Sequence, residues 1–163
     1  MNHRSQSGRS SPSAMVARHK DPRCRAPLRE TVMLYLVVTA GTVIGSLLRA
    51  LASMAALALT GPGFPWGTLF VNVLGSFVIG FYATLTEPGG RVFASARQRQ
   101  FVMTGICGGF TTFSLFSLEV LELIKDSAWS AAGVYAVVSV LSWLAFVWLG
   151  HALASRFNRL RGA

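Results

Sequence analysis

The densest run of residues able to handle an ion is Gly-Ile-Cys-Gly-Gly-Phe-Thr-Thr-Phe-Ser-Leu-Phe-Ser, residues 105–117. It interrupts an apolar stretch with paired glycines, then paired threonines, then phenylalanines interleaved with serines. The spacing predicts a broken helix, because Gly108 and Gly109 relax the backbone and Thr111 or Thr112 can restart it as an N-cap. Backbone carbonyls freed at bilayer depth need buried protein or an aqueous cavity to satisfy them, and such breaks recur where transporters hold ions. A carbonyl-lined cation site and a plain glycine kink filled by neighbouring hydroxyls both fit. Phe113 and Phe116 lie three residues apart, on one face, with Ser117 beside them. They are either packing residues or rings whose positive edges favour an anion without supplying a full charge.

Two further segments add polar groups. Gly41, Gly45, Arg49 and Ser53 recur every four residues and share one helical face. The glycines suit a close helix seam. A cation inside a span costs roughly 2.5–3.5 kcal/mol at its centre, so Arg49 either snorkels to headgroups or serves a vestibule. In residues 65–80, Thr68, Asn72, Gly75 and Ser76 fall on one small, partly polar side. The Asn72 amide can donate to an anion, or can join helices at about 1 kcal/mol per contact. Glu119 and Glu122 read as a solvated helix end close to Lys125.

These residues need elements long enough to cross a bilayer, and the composition supplies them. Apolar residues make up 52% of the chain and charged residues 13%, a balance suited to lipid rather than to a water-bounded core. Four stretches reach the roughly 20 apolar residues a span requires: residues 33–60, 66–86, 100–124 and 127–155. The expected fold is an all-α membrane protein of four transmembrane helices with the third broken near its middle. A four-helix domain over residues 31–156 would lie between a disordered basic tail (1–30) and a short basic C-terminal tail (157–163).

The formal charge of +9 is not a nucleic-acid signature. Seven of the fifteen basic residues fall in the first thirty positions, and most others sit in the second connection (Arg91, Arg97, Arg99) and at the C-terminus (Arg156, Arg159, Arg161). The first connection, residues 61–65, has no charge, and the third is little more than Lys125 and Asp126. The positive-inside rule then places both termini in the cytoplasm. Enzyme chemistry finds no support: His3, His19 and His151 form no cluster. There is no nucleophile with a base, and no phosphate-cradling loop. Cys24 and Cys107 give no disulfide framework.

Three ordered motifs, Gly-Thr-Val-Ile-Gly-Ser-Leu-Leu-Arg (41–49), Gly-Thr-Leu-Phe-Val-Asn-Val-Leu-Gly-Ser-Phe (67–77) and the 105–119 run, resemble those of the CrcB or Fluc fluoride channels. The resemblance implies a passive fluoride exporter of the plasma membrane, built as an antiparallel dimer with two pores and a central structural sodium ion. It implies that Asn72, Phe113 and Phe116 line the fluoride path, with the hydroxyls of Ser114 and Ser117 replacing lost water. The sodium would lie on the backbone carbonyls of Gly108 and Thr111, and Arg49 near a vestibule. The chain departs from the family pattern at Leu115, where threonine is common, at Ala50, where an aromatic is usual, and at Thr42 and Val43.

Without residues 1–32, six arginines on the inner side face only Lys125 outside, which biases insertion to one orientation. A homologous subunit inserted the other way, forming a heterodimer, is the expected partner, with dual insertion of one chain as the alternative. Among other functions, a proton-coupled small multidrug-type transporter comes second. It would want a carboxylate in the first span, where this chain has Arg49. A non-transporting scaffold is the structural alternative.

Overall fold

The computed structural model describes residues 28–159. Most of the basic tail expected over residues 1–30, and the last four residues of the C-terminal tail expected over 157–163, lie outside the described residues; Leu28–Glu30 and Phe157–Arg159, placed in those tails, are instead the ends of helices. The described chain is helical, without a strand: α1 (Leu28–Thr60), α2 (Trp66–Leu85), α3 (Ala96–Gln100), a π-helical segment (Phe101–Cys107), α4 (Gly108–Phe110), α5 (Phe113–Lys125) and α6 (Trp129–Arg159). Residues 96–125 act as one interrupted span, so among the described residues four helical stretches are long and apolar enough to cross a membrane. Their bounds differ by only a few residues from the apolar stretches read in the sequence.

Local chemistry ends each span where the sequence loses its apolar run. Gly61, at φ +74°, donates its N–H to the Leu57 carbonyl at 2.9 Å, a left-handed cap that a Cβ would disfavour. Ser95 and Gln98 form a reciprocal capping box that starts α3. Between α5 and α6 the turn is tight, with Ser127 at φ +60°.

In lipid no hydrophobic force drives helices together, so close packing through small residues must do so. The glycine stripe of α1 faces the third span. A Cβ on Gly41 would lie 2.6 Å from the Phe101 carbonyl oxygen, and one on Gly45 would lie 2.2 Å from that of Ile106. Gly105 and Gly109 answer from the other side, against Gly41 and Thr42. On the opposite flank of α2, Gly80 abuts the Val147 carbonyl and Gly150 abuts that of Phe77, each at 2.3 Å from the would-be Cβ. That pair brings α2 and α6 into contact along their backbones.

The break in the third span is real but displaced. Gly108 is helical (φ −64°, ψ −35°), and the extended residues are Thr111 (φ −87°, ψ 159°) and Thr112 (φ −151°, ψ 121°). Thr112 caps α5 by accepting from the Leu115 N–H at 3.2 Å, as the sequence allowed. Gly105 and Gly109 are there for approach to α1, whereas Gly108 meets nothing within 4 Å.

Substituting valine at Gly45 or Gly150 forces a branched side chain into neighbouring backbone. Each should cost about 1–3 kcal/mol, read as a lower thermal midpoint in detergent, while Gly133→Ala, at an open position, should leave the midpoint unchanged or raise it. Equal midpoints for all three would show that these helices do not pack so closely.

Candidate functional site

Asn72 meets the broken segment directly. Its Nδ2 donates to the Thr112 carbonyl at 2.8 Å, and its Oδ1 accepts from the Thr112 N–H at 2.7 Å. The side chain is 5% exposed. An amide carries the same donor and acceptor as a peptide group, so Asn72 satisfies both polar groups of the one extended residue most in need of partners. Gly75, one turn along, leaves room for Thr111: a Cβ there would lie 2.2 Å from the threonine methyl.

The clamp has a consequence for the carbonyls before it. In an unbroken helix the Gly108 carbonyl would accept from Thr112 N–H and that of Thr111 from Leu115 N–H. Here those two donors go to Asn72 and to the Thr112 hydroxyl. The carbonyls of Gly108 and Thr111 are therefore released from the helical ladder. Both residues line a cavity of about 300 Å³ together with Asn72, Ser76, Thr112 and Phe113.

Phe113 and Phe116 touch, with ring centroids 5.6 Å apart, but they differ in setting. Phe113 is 70% exposed and reaches the cavity rim, whereas Phe116 is 7% exposed. Phe116 is enclosed by Trp143, edge-on at 4.9 Å, and by Tyr135 at 5.4 Å. The Ser114 hydroxyl lies 3.3 Å from that of Thr112, and Ser117 donates to the Phe113 carbonyl at 2.9 Å. Arg49 is half-buried on α1 and pairs with none of the described residues. The structure thus brings Asn72, Phe113, Gly108 and Thr111 to one cavity and leaves Ser114, Phe116, Ser117 and Arg49 outside its lining.

One cluster was not read from the sequence. Glu119 is not a solvated helix end: its Oε1 accepts from the Thr68 hydroxyl at 2.6 Å and its Oε2 from the Tyr135 hydroxyl at 2.7 Å. Thr68 and Tyr135 are 2% and 1% exposed. The carboxylate borders a second cavity, of about 380 Å³, that also takes in Thr68 and Leu115. The signal lay in the tight turn at residues 126–128: residues 119 and 135 are nearly equidistant from it and so sit at one level of adjacent antiparallel helices. Aromatic contacts join the two cavities, since Phe113 touches Phe116, Phe116 touches Tyr135, and Tyr135 holds Glu119.

Removing the clamp should be costly. Asn72→Ala strands the buried N–H and carbonyl of Thr112, at about 1–3 kcal/mol for each group, while Thr112→Val loses a helix cap worth about 1 kcal/mol. Unfolding in detergent should rank Asn72→Ala below Thr112→Val and both below the native chain. An Asn72→Ala protein as stable as the native one would remove the clamp from the account.

Residues 36–151 match the family model described as CrcB-like protein, Camphor Resistance (CrcB). A Rhodopseudomonas palustris protein named fluoride-specific ion channel FluC 1 is 58% identical over 135 residues, which is 83% of this chain and 96% of the relative. The protein of the same name from Bradyrhizobium diazoefficiens is 55% identical over 131 residues, covering 80% and 91% of the two chains. A fluoride-specific ion channel FluC of Opitutus terrae is 51% identical over 130 residues, covering 80% and 98%. With the family model spanning most of its length and relatives of this identity aligned nearly end to end, the chain belongs to the CrcB family.

Proposed function

We propose that this chain is a subunit of a fluoride channel that releases cytoplasmic fluoride passively across the plasma membrane, and that it is not an enzyme. The observation that carries the reading is its 58% identity to a protein named a fluoride-specific ion channel, over 96% of that relative's length. The chemistry of the site agrees. Fluoride is small and strongly hydrated, so a path must replace its water at short range and still let it go. Asn72, the edges of Phe113 and Phe116, and the hydroxyls of Ser114 and Ser117 are neutral groups suited to that. The Asn72 amide uses one Nδ2 hydrogen on Thr112 and has a second to offer. Arg49, half-buried and without a partner among the described residues, serves to attract anions at a vestibule. A proton-coupled multidrug-type transporter fits less well, because residues 31–60 hold Arg49 and no carboxylate.

The channel in this reading is an antiparallel dimer around a structural sodium ion. Neutral carbonyl oxygens suit a hard monovalent cation, and the Gly108 and Thr111 carbonyls are the ones whose helical donors are diverted. Bound there, sodium would tie the two broken helices together. The 70% exposed Phe113 would be covered by the other subunit. Both termini lie in the cytoplasm in this reading, and the six inner-side arginines against Lys125 favour a homologous partner inserted the other way.

The test is ion release from potassium-loaded liposomes, with valinomycin to remove the charge limit and electrodes for fluoride and chloride. Fluoride should leave rapidly and chloride hardly at all. Phe113→Ile, which keeps an apolar side chain for the other subunit to cover, should slow fluoride about tenfold, equivalent to roughly 1.4 kcal/mol at the barrier. Asn72→Asp should abolish release. If the chain alone is silent, co-expression with an oppositely inserted homologue should restore release; silence in both would overturn the reading.

A further inference from the structure

The most exposed large apolar side chain of those described lies in none of the spans. Phe93 is 97% exposed and its neighbour Val92 is 42% exposed, in the connection between α2 and α3. Apolar area left in water is unfavourable in proportion to its extent, and a slack loop would fold such a ring inward. This loop is not slack. Gly90 donates to the Glu87 carbonyl at 2.7 Å, and Val92 to that of Leu85 at 3.2 Å. A Cβ on Gly90 would lie 2.5 Å from the Leu85 carbonyl oxygen. Asn158, near the end of α6, accepts from the Arg91 N–H and donates to the Thr84 carbonyl, both at 2.9 Å. The Arg99 guanidinium donates to the Thr86 carbonyl. The segment that leads to the ring is braced up to Val92.

The same bonds tie the loop to the basic end of α6. Arg156 and Arg159, exposed in the last turn of α6, come to the same end as Arg91, Arg97 and Arg99 of the connection, whose one carboxylate is Glu87. An exposed apolar ring at the arginine-bearing end of spanning helices matches the headgroup zone of a bilayer, where rings settle at the acyl boundary and cations meet phosphate.

We infer that the Glu87–Ser95 loop is a preformed membrane-interface anchor: Phe93 enters the acyl boundary while Arg156 and Arg159, exposed at the same end of the bundle, recruit anionic lipid headgroups. The anchor is independent of which ion the protein passes. It gives the arginine-rich end a lipid preference that the uncharged connection at residues 61–65 lacks.

The experiment places an environment-sensitive thiol probe at Phe93→Cys in the full chain with Cys24→Ser, reconstituted in phosphatidylcholine vesicles containing phosphatidylglycerol. A sample without the new cysteine controls for the buried Cys107. Bromine is carried on the tails of either lipid in turn. Brominated phosphatidylglycerol should quench the probe as though enriched about fivefold over its share of the bilayer. The enrichment should fall in Arg156→Gln/Arg159→Gln and, without any substitution, at high salt. No quenching by either lipid would overturn the inference and leave the ring in water or, if the emission is blue-shifted, against protein. Equal quenching by both lipids at matched share would also overturn it, because the ring would then be inserted without headgroup selection.

Discussion

The two hydrogen bonds between Asn72 and the backbone of Thr112 are what allow this chain to interrupt a helix inside a bilayer. An open peptide group in hydrocarbon costs several kcal/mol, so the extended residues 111–112 could not persist with nothing opposite them. Asn72 supplies a peptide-like donor and acceptor in one side chain, at 2.8 and 2.7 Å. The rest of the site follows from that pairing. Thr112 N–H no longer serves Gly108, the Thr112 hydroxyl takes the Leu115 N–H, and two carbonyls come free beside a cavity. The direction in which α5 restarts then fixes both phenylalanines and carries Glu119 back to Thr68, one turn before Asn72 on α2.

One face of α2 thus serves as the rail on which the third span is mounted, with Thr68, Asn72 and Gly75 each meeting a different part of it. α1 holds the other side through Gly41 and Gly45, and α6 locks onto the far flank of α2 through Gly80 and Gly150. Small residues permit the approach, and a few buried polar pairs set the register. That division suits a membrane protein, in which apolar contact with a neighbouring helix is little better than contact with lipid.

Much of this was legible in the chain. The spans follow from apolar length alone, and the glycine stripe of α1 follows from its period of four. The break is legible as a break, but the flexibility of Gly108 and Gly109 points to the wrong residues for it. The glycines instead permit contact with α1, and the interruption falls where a capping hydroxyl and the Asn72 amide together satisfy the backbone. Asn72 shows why placement was out of reach: the sequence offered joining helices and donating to an anion as rival roles, and only geometry reveals that its partner is a main chain forty residues away. Glu119 is hidden for a similar reason: a carboxylate near a helix end looks solvated in sequence, and only the fold closes Tyr135 and Thr68 on it.

The claim on which everything else depends is that Asn72 grips Thr112 while the protein sits in a bilayer. Solid-state NMR of protein in lipid, labelled at the asparagine side-chain amides and at the Thr112 carbonyl, measures that contact directly. A dipolar coupling matching the 2.8 Å hydrogen bond from Nδ2 to the Thr112 oxygen is the result this account expects. An Asn72 side chain showing no coupling to Thr112 in a preparation that passes fluoride would contradict it, because the break would then be held by something else.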